Sequence, residues 1–119
     1  MSYTPKDLYK KLLGNKGEKL AEKYLKKQGY KIIRKNYRTP FGEADIIAKD
    51  KDEIVFVEVK TRTSESYGAP REAVDKEKRR RYYQIAKFFW LEIGEEPNAR
   101  FDVAEVDENG EINYIKNAF

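Results

Sequence analysis

Glu43-Ala44-Asp45-Ile46-Ile47-Ala48-Lys49, then Asp50-Lys51-Asp52, then Glu53-Ile54-Val55-Phe56-Val57-Glu58-Val59-Lys60 is the stretch whose reading decides the fold. Glu43 to Lys49 and Glu53 to Lys60 read as two strands joined by a short turn. With Lys51-Asp52 as a two-residue turn, residues whose numbers sum to the same value face each other. Ile46 then meets Val57, Ile47 meets Phe56, Ala48 meets Val55, Ala44 meets Val59, and Asp45 meets Glu58. One face is wholly apolar, through Ala44, Ile46, Ala48, Val55, Val57 and Val59. The other face gathers Glu43, Asp45, Glu58 and Lys60 at one end. A slip of one residue would mix the two faces, so the pattern itself specifies the register. A longer loop is the alternative at the turn, because Lys51 and Asp52 are not the residues a primed turn favours.

Crowding like charges on a half-buried sheet face is costly unless a cation and a phosphate are meant to sit there. The plain alternative pairs Glu43 with Lys60 and Asp45 with Arg62 or Lys60, as ordinary surface ion pairs. The set taken together favours a nucleic-acid site.

The flanking sequence places this hairpin in an α/β frame. Pro5 to Lys27 reads as a helix, with a break expected near Gly14-Asn15 and a stop at Gly29. Gly17, Leu20, Ala21, Tyr24 and Leu25 form its apolar stripe. Counting about 100° per residue from Gly17, Glu18 lies at the stripe's edge and Glu22 turns further toward solvent. Glu18 is therefore the helix acid expected to reach the sheet. Tyr30 to Arg38 reads as a strand, and Thr61 to Pro70 as a loop in which Ser66 and Tyr67 are weak candidates for substrate contact. A helix follows from about Arg71 to Ile93, with Val74, Tyr82, Ile85, Ala86, Phe89 and Ile93 inward. Arg100 to Val106 reads as a strand, turning at Asn109-Gly110 into Ile112 to Ile115. The order is α-β-β-β-α-β with an extra C-terminal strand. The second helix acts as a crossover that makes the Glu58 and Phe101 strands parallel. A mixed central sheet flanked by helices, forming a single domain over residues 1–119, is the expected architecture.

The composition narrows the chemistry. The chain has 119 residues, of which 39% are charged and 13% aromatic, which suits a compact domain with a charged exterior. The net charge of +4 is concentrated at Lys76, Lys78, Arg79, Arg80 and Arg81, pointing to a polyanionic partner or to a solvated helix face. The chain contains no Cys and no His, which excludes disulfides, thiolate-metal sites, imidazole acid-base chemistry and Ser-His-Asp hydrolysis. Its N-terminus shows no signal-like apolar segment, and the longest aliphatic or aromatic runs, Ile54 to Val57 and Phe88 to Leu91, are far too short to span a bilayer. A cytoplasmic protein without membrane partners is expected.

Hydrolysis of a phosphodiester with these residue types needs a borrowed divalent ion held by carboxylates. Mg²⁺ and Mn²⁺ favour oxygen ligands, which suits Asp45 and Glu58, with the Val59 carbonyl as a third. Lys60 can orient the attacking water or stabilise developing negative charge, and Arg62 can hold a flanking phosphate.

Gly42-Glu43-Ala44-Asp45-Ile46-Ile47, Phe56-Val57-Glu58-Val59-Lys60-Thr61-Arg62, Gly68-x-Pro70-x-Glu72-Ala73-Val74 and Gly17-Glu18-x-x-Ala21-x-x-Tyr24-Leu25 together resemble the YraN family. That family is similar to the restriction-endonuclease-like, or PD-(D/E)xK, nucleases, and among them to the archaeal Holliday junction resolvases. The resemblance implies a restriction-endonuclease-like core, Asp45 and Glu58 as metal ligands, Lys60 as the catalytic lysine and Glu18 as an accessory acid. Ala44 stands where the superfamily signature often carries Pro. The expectation is a metal-dependent nuclease acting on DNA, with branched or junction DNA as one substrate class and a homodimer through the Ile112 to Ile115 edge as one assembly. A non-catalytic nucleic-acid-binding protein of the same fold is the alternative, and a small acidic-basic interaction module is a third.

Overall fold

The computed structural model of the protein describes residues 5–62 and 76–119, with side chains from residue 14 onward. Two helices flank one five-stranded mixed sheet: α1 (Pro5–Lys27), β1 (Lys31–Thr39), β2 (Gly42–Asp50), β3 (Glu53–Thr61), α2 (Lys76–Ile93), β4 (Ala99–Val106) and β5 (Ile112–Ile115). The strands lie in chain order across the sheet. All neighbours are antiparallel except β3 and β4, which run parallel across the α2 crossover. The expected element order and the mixed sheet flanked by helices are observed. Ser66, Tyr67, Val74 and the expected first turn of the second helix from Arg71 lie outside the described residues.

Helix α1 runs unbroken through Gly14-Asn15, contrary to the expected break. Its Lys- and Leu-rich sequence has high helix propensity, and Lys26 and Lys27 in the last turn complement the helix dipole. Gly29, at φ 89°, ends it. Tyr30 N–H donates to the Leu25 carbonyl and Gly29 N–H to the Lys26 carbonyl, both at 3.0 Å, the paired bonds of a Schellman cap. That turn delivers the Tyr30 side chain into the interior.

Each sheet face has its own core. On one, Ala21 and Leu25 of α1 pack on Ile46, Ala48, Val55, Val57 and Ala104. On the other, Tyr82, Ile85, Ala86 and Phe89 of α2 pack on Ile47, Ile54 and Phe56. Full burial of side chains such as Leu25, Phe56 and Phe89 stabilises the fold by roughly 1.5–3 kcal/mol each. Ile93, expected inward, is on the surface.

The β2–β3 register is the expected one from Asp50↔Glu53 through Ile46↔Val57, with Lys51 in a left-handed turn conformation at φ 57°. The ladder does not continue to Asp45. Ala44 packs with Ile47 against α2, whereas Ile46 packs against α1. In a regular strand residues 44 and 46 would share a face, so the expected apolar face loses Ala44. Strand β1 makes the same change of face beside it. Lys35, paired with Ile46, reaches Glu22 of α1, while Tyr37, paired with Ala44, packs with the α2 cluster. Between them Asn36 takes φ 52°. This shared twist is why Asp45 does not stand opposite Glu58 as a simple facing pair.

Candidate metal and nucleic-acid site

Asp45 sits where β2 leaves its ladder, and its Oδ2 accepts the Val59 N–H at 2.8 Å in place of a backbone carbonyl. Burial lifts the Asp45 carboxyl above the ordinary aspartate value. The Val59 N–H opposes that rise, and the charges of Glu58 and Glu43 reinforce it. Glu18, projecting from α1, is raised by burial and then by Asp45 and Glu43, with Lys35 opposing. The Glu18 carboxyl therefore lies within the field of Asp45. Glu22 is held instead by Lys26 at 3.1 Å and Lys35 at 3.4 Å, which lower its pKa.

Glu18 is held there by the close packing of α1 on the end of β3. A Cβ on Gly17 would stand 2.9 Å from Thr61 Oγ1, so a side chain there would force Thr61 or the helix to shift. Asn36 lies between the two acids that flank Asp45. With its amide oriented to satisfy both, its nitrogen donates to Glu43 Oε1 and Glu18 Oε2 at 3.3 Å each. A cavity of about 230 Å³ opens here, lined by Glu18, Glu22, Lys19, Lys35, Asn36 and Asp45.

Glu58 points to the α2 side of the sheet, where Lys78 Nζ is 2.9 Å from its Oε2. Its charge and that of Asp45 both raise the Tyr82 phenol, after the larger effect of burial. Asp45 thus interacts with groups on both helices at the open end of the hairpin. Lys60 pairs with Glu105 of β4 two residues beyond Glu58, on the same side of β3. Val59 lies between Glu58 and Lys60 in sequence, and its side chain packs on the α1 cluster.

The donor set is all oxygen and fits a hard cation. Asp45 and Glu58 repel one another, and among the described residues no three acids form a closed metal cage. Asp45 and Glu58, with the Val59 carbonyl, could hold a hard divalent cation such as Mg²⁺ only in part, and water and phosphate oxygens would supply the rest.

The basic residues of α2 divide into separate groups. Lys76, Arg79 and Arg80 line an open groove beside the exposed Tyr83 on the outer side of the helix. The Arg81 side chain instead runs along Gly42 of β2. Lys78 belongs to the sheet-facing stripe with Tyr82, Ile85 and Phe89. Its helical spacing from Tyr82 was the available signal, since residues four apart share a face. Arg62, expected to hold a phosphate, donates from Nε and Nη2 to Glu105 Oε2 at 3.1 and 2.9 Å. Glu43 is 4.0 Å from Arg38 on the neighbouring strand. Asn36 and Lys35 were missed as site residues, because only the β1 twist brings them to Glu18. No helix among the described residues is long and apolar enough to cross a membrane.

Residues 17–106 match the family described as Uncharacterised protein family UPF0102. A UPF0102 protein of Desulfosudis oleivorans is 48% identical over 108 residues, covering 89% of this chain and 88% of that one. One from Caldanaerobacter subterraneus is 46% identical over 121 residues, covering 96% and 99%. One from Clostridium acetobutylicum is 47% identical over 118 residues, covering 92% and 94%. The matched span contains Glu18, Asp45, Glu58 and Lys60, and the chain belongs to the UPF0102 family, which is the YraN family.

Proposed function

We propose that the protein is a divalent-metal-dependent nuclease that hydrolyses DNA phosphodiester bonds, with branched or junction DNA as its substrate class. The observation that carries this reading is the convergence of Asp45 and Glu58 at the open end of the hairpin, where burial and mutual repulsion hold the Asp45 carboxyl above its ordinary value. Groups whose pKa is shifted by burial and like charge, as Asp45 is, cluster at active sites.

Asp45 and Glu58, with the Val59 carbonyl, would hold a Mg²⁺ or Mn²⁺ ion. When bound, the ion supplies positive charge to the phosphate and makes water acidic enough to give a nucleophile near neutral pH. Lys60 orients that water and meets negative charge developing on the phosphate. Glu18 is the accessory acid delivered by α1. Lys76, Arg79 and Arg80 hold flanking phosphates, which carry no base information and so position rather than specify the substrate. Binding without cutting is the second reading, favoured by the outward position of the α2 groove, which could engage a phosphate backbone without the acids.

Incubation of labelled four-way junction, flap, single-stranded and linear duplex DNA with Mn²⁺ or Mg²⁺ tests the proposal. Cleavage by the wild type, lost in Asp45→Ala/Glu58→Ala and in Lys60→Ala with binding largely retained, is the expected outcome. Salt-sensitive binding by all three proteins without cleavage of any substrate would favour the binding module.

A further inference from the structure

Lys78 is the cation of α2 that the structure sets apart from its neighbours. Lys76, Arg79 and Arg80 line the outer groove, whereas the Lys78 ammonium reaches inward to Glu58 Oε2 at 2.9 Å. Both side chains of this pair are only 19% exposed. The ammonium also stands 5.7 Å from the centre of the Phe119 ring, which packs on Tyr82 and Phe101. Yet the contact is one of charge rather than of good hydrogen-bond geometry, because Glu58 Oε2 is buried and accepts no hydrogen bond among the described residues. Among the described residues, this desolvated carboxylate oxygen faces one flexible ammonium.

We propose that Lys78 is a place-holder cation: it occupies Glu58 in the metal-free protein and is displaced when a divalent ion binds there. This rests on the metal-site reading given above. An ion taken up by Glu58 Oε2 would stand close to the ammonium now 2.9 Å from that oxygen, and the repulsion of two positive charges sharing one buried ligand favours release of the lysine. The long, unbranched lysine stem lets the ammonium leave without moving the helix, which a planar, bidentate arginine would resist. The exchange has two effects. It spares the metal-free fold an uncompensated acid beside Asp45. It also weakens the apparent affinity for metal, because the ion must compete with a resident charge.

Mn²⁺ titration by calorimetry, without DNA and at fixed pH and ionic strength, tests the exchange on wild type, Lys78→Met and Lys87→Gln. Lys78→Met should bind Mn²⁺ about tenfold more tightly than wild type, and Lys87→Gln, which removes an exposed charge on the same helix, should stay within about twofold. If Lys78→Met fails to fold, Lys78→Gln keeps a polar tip and carries the same expectation. Unchanged or weaker Mn²⁺ binding in the folded Lys78 variant, with measurable wild-type binding, overturns the place-holder role alone. Equal tightening in Lys87→Gln overturns it too, because bulk charge would then explain the effect. Failure of both wild type and the Lys78 variant to bind Mn²⁺ overturns the metal site, and the exchange with it.

Discussion

The β2–β3 hairpin carries a pair of acids at each end, and the fold treats the two pairs in opposite ways. At the closed end Asp50 and Glu53 flank the turn, and Arg100 Nη1 reaches both, at 3.0 and 3.3 Å. The same guanidinium binds Asp102 through Nε and Nη2 and donates to the Tyr30 hydroxyl at 2.8 Å. Asp102, with no exposed surface, also accepts the Tyr114 hydroxyl at 2.6 Å and the Asn117 N–H at 3.0 Å. Burial works against the Arg100 charge, but hydrogen bonds to Asp102 and Asp50 override it and raise the pKa, while Asp50 is lowered by its bond to Arg100. At the open end, Asp45 has the Val59 N–H and the repulsion of Glu58 and Glu43. The chain can build a fully partnered buried acid, as at Asp102, and it gives Asp50 and Glu53, five residues from Asp45 and Glu58 along each strand, a shared guanidinium. Among the described residues the open end gives Asp45 one hydrogen-bond donor, the Val59 N–H, and gives Glu58 the Lys78 ammonium; the proposed cation would complete it.

The contrast is broken most forcefully at Arg100. Arg100→Ala strands Asp102 in the interior, so urea denaturation should show a loss of about 3–5 kcal/mol. A loss below about 1 kcal/mol would mean that the tyrosines and the Asn117 N–H suffice, and the two ends would no longer differ in kind.

Gly17→Ala comes next. The added Cβ would meet Thr61 Oγ1 at 2.9 Å, forcing α1 away from β3 at an expected cost of about 1–3 kcal/mol. Because Glu18 follows it directly, metal affinity should fall in the same variant.

The open end predicts the opposite sign. Asp45→Asn keeps an oxygen for the Val59 N–H and removes the repelled charge, so without metal it should stabilise the protein by about 1 kcal/mol at pH 7. The pH dependence follows from the raised Asp45 pKa. The folded state favours the protonated acid, so the contribution of Asp45 to stability falls as pH rises from 3.8, the ordinary aspartate value, through the raised one. The advantage of Asp45→Asn over wild type should therefore be largest above that window and vanish as pH falls to 3.8. Asp50, with its lowered pKa, contributes stability that is present above 3.8 and lost as pH falls through its own lower value. Melting curves of wild type, Asp45→Asn and Asp50→Asn across this range separate the two signs.

The sequence made the closed half of this picture partly readable and hid the rest for identifiable reasons. Apolar alternation in β2 and β3 fixed their register from Asp50 to Ile46, because any slip would have exposed the core face. Helical spacing likewise marked Gly17, Ala21 and Leu25 as the buried stripe of α1. The face change at Asp45 was not legible, since it depends on Asn36 adopting a left-handed conformation that L-residues seldom take. The Arg100 hub was missed because its partners lie 50 and 70 residues away and follow no local period. Arg62 looked like a free phosphate ligand only until β3 and β4 paired and brought it to Glu105.

The central claim, that the open end is left incomplete for a cation, is tested most directly by melting wild type and Asp45→Asn with and without saturating Mn²⁺. Metal-free Asp45→Asn should melt above wild type, and Mn²⁺ should reverse the order by raising only the wild type. At about 100 times the dissociation constant, that gain should approach about 2.7 kcal/mol. Equal response of both proteins to Mn²⁺, or a metal-free Asp45→Asn that melts below wild type, would contradict it.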